Sequence, residues 1–399
     1  VPMVIDIVVV AVLVVALALG LRSGLLAALG ALIGLTLGAL LAYWVVPMVL
    51  PVLSDVLPSA GWRSVAIVVG SIALVAGAAL AGSAVGAAGR RGVERIRLGW
   101  LERILGGALS VVVAALAVSL IAQTLVVAGI PHLSAAVSSS RVVRAIDSLT
   151  PAPVDAALAQ VRGAFLEEGL PSLGDLFGPG VIVDPGQPAP DVALDDPALN
   201  EAAQSVARIS GVAYACGTSS TGTGFVAAAD RIVTNAHVVA GVTDPVVELP
   251  GGAARQGRIV YFDAVDDLAV IAVDDLDVAP LAVAPTLATG DEGVVQGYPY
   301  GGPFTMTGAR VLSVGVVEVP DIHDATRAPR EIYALAAAVR PGNSGGPLLT
   351  ATGDVTGVVF ARADSGEDIG YAMTPAELAP VVAQAPALTA AVSSGSCAD

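Results

Sequence analysis

Three short stretches of the 399-residue chain carry side chains whose types and order suit acyl transfer. The first runs Gly222-Thr-Gly-Phe-Val, turns at Asp230-Arg231 and continues Ile-Val-Thr-Asn-Ala-His237-Val-Val. A strand hairpin feeding a tight Ala-His turn puts an imidazole at a sheet edge, and imidazole is the side chain best suited to act as a base near neutral pH. Only His323 competes with His237 for that role in the C-terminal part of the chain. The second stretch, Val265-Asp-Asp267-Leu-Ala-Val-Ile, opens an apolar strand with an acidic pair. A carboxylate there can accept the imidazole Nδ1 proton, fix the tautomer and stabilise the imidazolium. Asp267, directly before Leu-Ala-Val, is the better placed, and Asp266 is the alternative. The third, Arg340-Pro-Gly342-Asn-Ser344-Gly-Gly-Pro-Leu-Leu, sets a serine among glycines. Such a backbone turns sharply, presents the hydroxyl and points the Gly342 and Ser344 N–H groups at one spot, where an oxyanion would form.

The order His, Asp, Ser is that of the chymotrypsin fold and not of subtilisin or the α/β-hydrolases. From about Val206 the chain becomes short Val/Ile/Leu runs broken by Gly, Asp and Pro roughly every ten residues, the spacing of an all-β barrel or sandwich. The elements expected to position the three residues are therefore two β-barrels with the site between them. No metal or other cofactor is called for, since two cysteines without a nearby histidine make a poor ligand set.

Upstream the chain is a different kind of object. An apolar fraction of 55% with 14% charge is too oily for a wholly soluble protein. Residues 1–146 hold 9 Arg and 4 acids, against 10 Arg and 31 acids in the remainder, so the parts carry +5 and −21. The acidic part argues against nucleic-acid binding, which needs a basic surface. Four apolar stretches, 4–21, 25–46, 65–88 and 104–130, meet the roughly 20 residues a helix needs to cross a bilayer. The first is read as a span and not as a cleaved leader, because comparable segments follow it. Arg90, Arg91, Arg95, Arg97 and Arg103 crowd the loop between the third and fourth, and the positive-inside rule makes that loop cytoplasmic. Everything after about Ile130 then lies outside the inner membrane. Trp44, Trp62 and Trp100 fall near span ends, where indole favours the headgroup layer. Gly30, Gly34 and Gly38, and Gly82, Gly86 and Gly89, are spaced to let helix backbones approach closely. A transporter or sensor whose outer domain only binds is the competing function; Asp6, near an end, is the only acid within a span, whereas solute pathways need ionisable groups deeper in the bilayer.

Three regions follow: a four-helix membrane domain over 1–130, a Pro/Ala/Asp-rich linker with one helix near 154–168 over 131–205, and a protease domain over 206–399. The linker after Gly178 holds Pro179, Pro185, Pro188, Pro190 and Pro197 and is the expected place for self-cleavage to release the downstream domain.

Gly-Thr-Gly-Phe, Thr-Asn-Ala-His237, Asp267-Leu-Ala-Val, Pro-Gly-Asn-Ser344-Gly-Gly-Pro and Gly297-Tyr-Pro resemble the bacterial trypsin-like proteases related to the HtrA group. Too few residues follow the last strands for the PDZ domain that group carries. A four-span region similar to the colicin V production family, joined to such a protease, resembles over nearly its whole length the actinobacterial acid-resistance periplasmic proteases of the MarP type. The resemblance implies a serine endopeptidase acting on cell-envelope proteins under acid or oxidative stress, with the lipid bilayer as its other partner. It also implies a Cys216–Cys397 disulfide. Two cysteines outside the cytoplasm are expected to be oxidised, with separate thiols the competing state, and Cys216 is expected before the first barrel strand. The strand around Thr356–Ala361 and the segment Gly370–Met373 are expected to wall the specificity pocket. With no evident acid at its floor, an uncharged side chain is the expected preference.

Overall fold

The structure is a computed structural model that describes residues 2–56, 60–93, 99–127, 136–137, 140–163, 171–173, 189–190, 196–213, 218–363 and 368–398. The chain divides into two compact units, one over Met3–Ser119 and the other from Leu120 onward.

The first unit is built from helices α1 (Pro2–Ser23), α2 (Leu25–Val56), α3 (Ala60–Val93) and the start of α4 (Gly99–Val127). Among the described residues, Met3–Ser23 and Gly99–Gln123 are long and apolar enough to cross a membrane, and Leu25–Gly38 and Ala76–Gly89 are shorter apolar helices. On α1, Val4, Ile7, Val8, Val14 and Val15 stay exposed on several faces, as expected of a helix solvated by hydrocarbon. The glycine spacing has its predicted use between α2 and α3. A β-carbon on Gly30 would run into the Gly82 carbonyl, one on Gly34 into the Ala78 carbonyl, and one on Gly86 into the Leu26 carbonyl. Gly89 faces open space and takes no part.

The second unit begins with helices inside the stretch expected to be a linker. Ser140 caps α5 (Arg141–Leu149), its hydroxyl accepting the Val143 N–H at 3.2 Å, and α6 (Ala152–Gly163) starts directly after Pro151, where proline's missing N–H costs nothing. The expected 154–168 helix thus begins two residues earlier, and 164–168 lie outside the described residues, as does most of the proline-rich segment. Ser172–Leu173 form a short strand, β1, and Asp196 caps α7 (Pro197–Ala203) through the Ala198 N–H at 2.8 Å.

Two sheets follow, antiparallel throughout except where β1 pairs in parallel with β13. The first comprises β2 (Val206–Ala213), β3 (Thr218–Ala228), β4 (Arg231–Thr234), β5 (Val246–Glu248), β6 (Arg255–Gln256), β7 (Arg258–Asp263) and β8 (Leu268–Ala272), in the order β6-β5-β2-β3-β4-β8-β7. Only Gly257, whose N–H donates to the Pro245 carbonyl at 2.8 Å, separates β6 from β7, so one segment meets both ends of the sheet. The second comprises β9 (Glu292–Gly297), β10 (Thr305–Pro320), β11 (Arg327–Ala336), β12 (Pro347–Leu349), β13 (Val355–Ala363) and β14 (Ile369–Met373). Its order is β1-β13-β12-β9-β10-β11-β14, with β13 also paired to β14, so the pairings from β9 to β14 form a ring. Each sheet encloses its own apolar cluster, and a third cluster, including Val206, Phe225, Val233, Ile332, Phe360 and Met373, runs between them. The strands are buried nearly throughout because both faces are covered, which is why their alternation in sequence is weak.

The two sheets are joined twice. Between them, Leu281 N–H donates to Val226 O and Ala284 N–H to Val355 O, both at 2.8 Å. After α9 (Pro375–Gln384) the chain returns to the first sheet: Arg231 Nε donates to Leu388 O at 2.9 Å, Val392 N–H to Ile259 O at 2.9 Å, and Ser394 Oγ to Val242 O at 2.7 Å.

Candidate active site

His237 lies on a single helical turn, α8 (Ala236–Val239), entered straight from β4 through Asn235. Asp267 precedes β8, the neighbour of β4 in the sheet, so the pairing Thr234↔Ala269 brings the two residues together. Asp267 Oδ2 is 2.8 Å and Oδ1 3.0 Å from His237 Nδ1, and Oδ1 also accepts the His237 main-chain N–H at 2.9 Å. Nδ1 therefore carries the proton, and the basic lone pair is on Nε2, which is buried and makes no hydrogen bond within the chain. Asp267 rather than Asp266 reaches the ring.

The loop before β8 explains that choice. Asp263 Oδ1 accepts the Val265 and Asp266 N–H groups at 2.9 and 3.0 Å, and Asp267 takes a left-handed φ of 54°, which Asp tolerates better than most residues. Asn235 Nδ2 holds the Asp267 carbonyl at 2.9 Å. Asp266 is turned aside, its carboxyl pushed up by burial and by neighbouring Asp263.

Arg340-Pro341-Gly342-Asn343 forms a turn closed by Asn343 N–H to Arg340 O at 2.9 Å, with Gly342 at φ +95°. Proline second and a positive-φ glycine third are the requirements of a type II turn. A side chain on Gly342 would strike the Tyr298 carbonyl, and one on Gly345, φ +80°, the Thr223 carbonyl. Ser344 is fully buried, its carbonyl accepting the Thr223 N–H at 2.8 Å, and Gly345 N–H is fixed to Val359 O at 2.8 Å. The backbone around Ser344 is thus tied to both sheets.

Sequence reading missed the residues that make those ties, although Thr223, Thr234 and Tyr298 lie in the motifs it singled out. Thr223 Oγ1 donates to Gly342 O at 2.6 Å and accepts the Tyr298 N–H at 3.0 Å; Tyr300 N–H donates to Pro341 O at 2.5 Å. Thr234 Oγ1 donates to Thr223 O at 2.7 Å. Tyr298 is buried, which pushes its phenol up and keeps it neutral, and its hydroxyl donates to Val206 O at 3.2 Å.

β13 and β14 pair beside the serine, and a side chain on Gly370 would meet Val339, so the expected pocket walls do adjoin one another. Asp368 is engaged by Arg340 at 2.8 Å. His323 lies in the β10–β11 turn, its Nε2 3.4 Å from Ser396 Oγ. Cys397 is disulfide-bonded. Cys216 lies outside the described residues and falls between β2 and β3, not before the first strand, because Val206–Ala213 is itself a strand of the sheet.

Residues 222–358 match the model of the trypsin-like peptidase domain, and residues 5–151 that of the colicin V production protein. The serine protease Rv3671c of Mycobacterium tuberculosis is 35% identical over 269 residues, 67% of each chain. A putative serine protease of Synechocystis, HhoA, is 32% identical over 294 residues, 69% of this chain and 66% of its own. The crystal structure of the active form of the Rv3671c protease superposes with a TM-score of 0.51 at 33% identity, covering 58% of this chain and 96% of that one.

Proposed function

Because this chain belongs to the family of Rv3671c-like serine proteases, which join a colicin V production region to a trypsin-like peptidase domain, we propose that it is a membrane-anchored endopeptidase working through His237, Asp267 and Ser344. The observation that carries this reading is the two-oxygen contact of Asp267 with His237 Nδ1, which leaves Nε2 as the base. Ser344 Oγ attacks the scissile carbonyl carbon as Nε2 takes its proton. The resulting oxyanion is met by the Gly342 and Ser344 N–H groups, each such donor being worth about 10²–10³ in rate. Nε2 then protonates the leaving amine, the C–N bond breaks, and an acyl ester remains on Ser344. Water, deprotonated by the same nitrogen, attacks the ester and restores the hydroxyl.

The closed ring of the second sheet, and the single segment joining both ends of the first, favour a chymotrypsin-like double β-barrel. Helices α1–α4, with the arginine-rich connection before α4, favour four spans and a peptidase domain on the periplasmic side. With only two cysteines in the chain, Cys216 is the partner assigned to Cys397. Substrates are then envelope proteins, with self-cleavage in the proline-rich stretch, and acid or oxidative stress is the physiological setting proposed.

The test is fluorophosphonate labelling of the full-length protein in detergent micelles. The native chain should label, Ser344→Ala and His237→Ala should not, and Asp267→Asn should slow labelling about 10³–10⁴-fold, whereas Asp266→Asn keeps the rate within about threefold. Labelling that survives loss of Ser344, or no labelling of the native chain, overturns the reading and favours a silent outer domain on a transporter or sensor.

A further inference from the structure

The Gly342 N–H belongs to the same planar unit as the Pro341 carbonyl, and in a trans peptide the two point in opposite directions. Whatever holds Pro341 O therefore aims the N–H assigned above to the oxyanion. The Tyr300 N–H holds it, at 2.5 Å. Tyr300 and Gly301 take left-handed φ values of 57° and 62°, as a type I′ turn requires, and Gly302 N–H closes that turn on Pro299 O at 2.9 Å. Glycine adopts this conformation freely, but a tyrosine in it is strained and stays there only where its surroundings hold it.

Two side chains on one face of the first sheet hold the two ends of this segment. Strands β5, β2 and β3 set Glu248, Arg208 and Thr223 directly across from one another, and residues paired in this way share a face. At one end Thr223 Oγ1 accepts the Tyr298 N–H at 3.0 Å. At the other Arg208 Nη1 donates to the carbonyl of buried Gly301 at 3.0 Å. Arg208 is itself fixed, its Nη2 donating to Glu248 Oε2 at 2.7 Å, with the two side chains only 12% and 23% exposed. The rigid fork of a guanidinium suits this double task, one nitrogen for the carboxylate and one for the carbonyl.

We propose that Arg208 is a positioning residue for the oxyanion. By holding Gly301 O it keeps Tyr300 in its left-handed turn, and the Tyr300 N–H then holds the Pro341–Gly342 peptide with the Gly342 N–H turned to the developing charge. The proposal rests on the triad and oxyanion reading above. Without Arg208 the turn keeps one of its two side-chain anchors, Tyr300 relaxes toward negative φ, and the Pro341–Gly342 unit is free to rotate. The loss is felt when negative charge develops on the reacting group and not when that group binds.

The experiment is saturation kinetics of fluorophosphonate labelling of the full-length protein in detergent micelles, native and with Arg208→Met, Arg208→Lys and the pair Arg208→Met with Glu248→Met. The phosphonyl oxygen takes the oxyanion's place during attack. The limiting rate constant therefore reads the Gly342 donor, the half-saturating concentration reads binding, and the final amplitude reads the folded fraction. For Arg208→Met the limiting rate should fall about tenfold or more, part of the roughly 10²–10³ that one donor is worth, while the half-saturating concentration stays within about twofold. Arg208→Lys keeps a cationic donor for Gly301 O and should recover most of that rate. The double variant, which also removes the carboxylate that Met alone would strand, should be as slow as Arg208→Met and gives the reading if the single variant does not fold. A native limiting rate at reduced amplitude, in either Met variant, assigns Arg208 to stability alone and overturns the proposal. So does a raised half-saturating concentration with the limiting rate unchanged, or a Lys variant as slow as Met. Failure of the triad reading looks different, because then the native chain itself shows no labelling that depends on Ser344 and His237.

Discussion

The Thr223 hydroxyl donates to the Gly342 carbonyl at 2.6 Å while accepting the Tyr298 N–H at 3.0 Å, so one atom on the first sheet holds the Pro341–Gly342 turn and the segment after β9 together. Thr223→Val keeps the shape and removes the hydroxyl, leaving a buried carbonyl and a buried N–H unpaired. The loss expected is about 1–3 kcal/mol in stability, read by urea denaturation. Peptidase activity should fall by about tenfold or more as the Gly342 N–H loses its aim, and Thr223→Ser should restore most of both.

Asp321 closes the turn between β10 and β11. Its Oδ2 accepts the Thr326 hydroxyl at 2.6 Å and N–H at 2.9 Å, and its Oδ1 accepts the N–H groups of Ala325 and His323 at 3.0 and 2.9 Å. These bonds, Thr326's hydroxyl first, hold the carboxyl down at about 2. A carboxyl depressed in the folded state contributes stability that is fully present above its unfolded value near 3.9 and is lost as pH falls through about 2. Melting temperatures of the native chain and Asp321→Asn should therefore differ by a constant amount from pH 7 to about pH 4 and converge toward pH 2. A gap that closes already at pH 5 would contradict this assignment.

Cys397 is disulfide-bonded at the end of the tail that returns to the first sheet. Opening the bond, by dithiothreitol or by Cys397→Ser, should cost about 2–5 kcal/mol. The comparison is thermal unfolding with and without reductant, and the Cys397→Ser chain should show no further effect of reductant.

Gly82 and Gly30 stand backbone to backbone between α3 and α2. Gly82→Val cannot be accommodated by a rotamer change, since the obstacle is a main-chain carbonyl. The helix pair should separate, seen as a lower midpoint in detergent-induced unfolding, whereas Gly89→Val, placed in open space, should leave that midpoint unchanged.

Much of this was legible in the sequence because the chemistry is local in it. Pro341 and Gly342 specify their own turn, and Ala236-His237 its own helical stub, so the motif text and the geometry agree. The fourfold spacing of Gly30 and Gly34 likewise found its partners in Gly82 and Gly86. What was not legible depends on distance along the chain. Thr223 meets Gly342 across 119 residues, and nothing near either predicts the other. One helix was expected over 131–205, near 154–168, and caps at Ser140 and Asp196 start two more, Arg141–Leu149 and Pro197–Ala203.

The chain leaves the first sheet through the Leu281–Ala284 connection and comes back to it through Leu388–Ser394. Rotating one sheet against the other would have to break main-chain hydrogen bonds in both stretches. A protein substrate is then met by two sheets that are fastened to each other before it arrives.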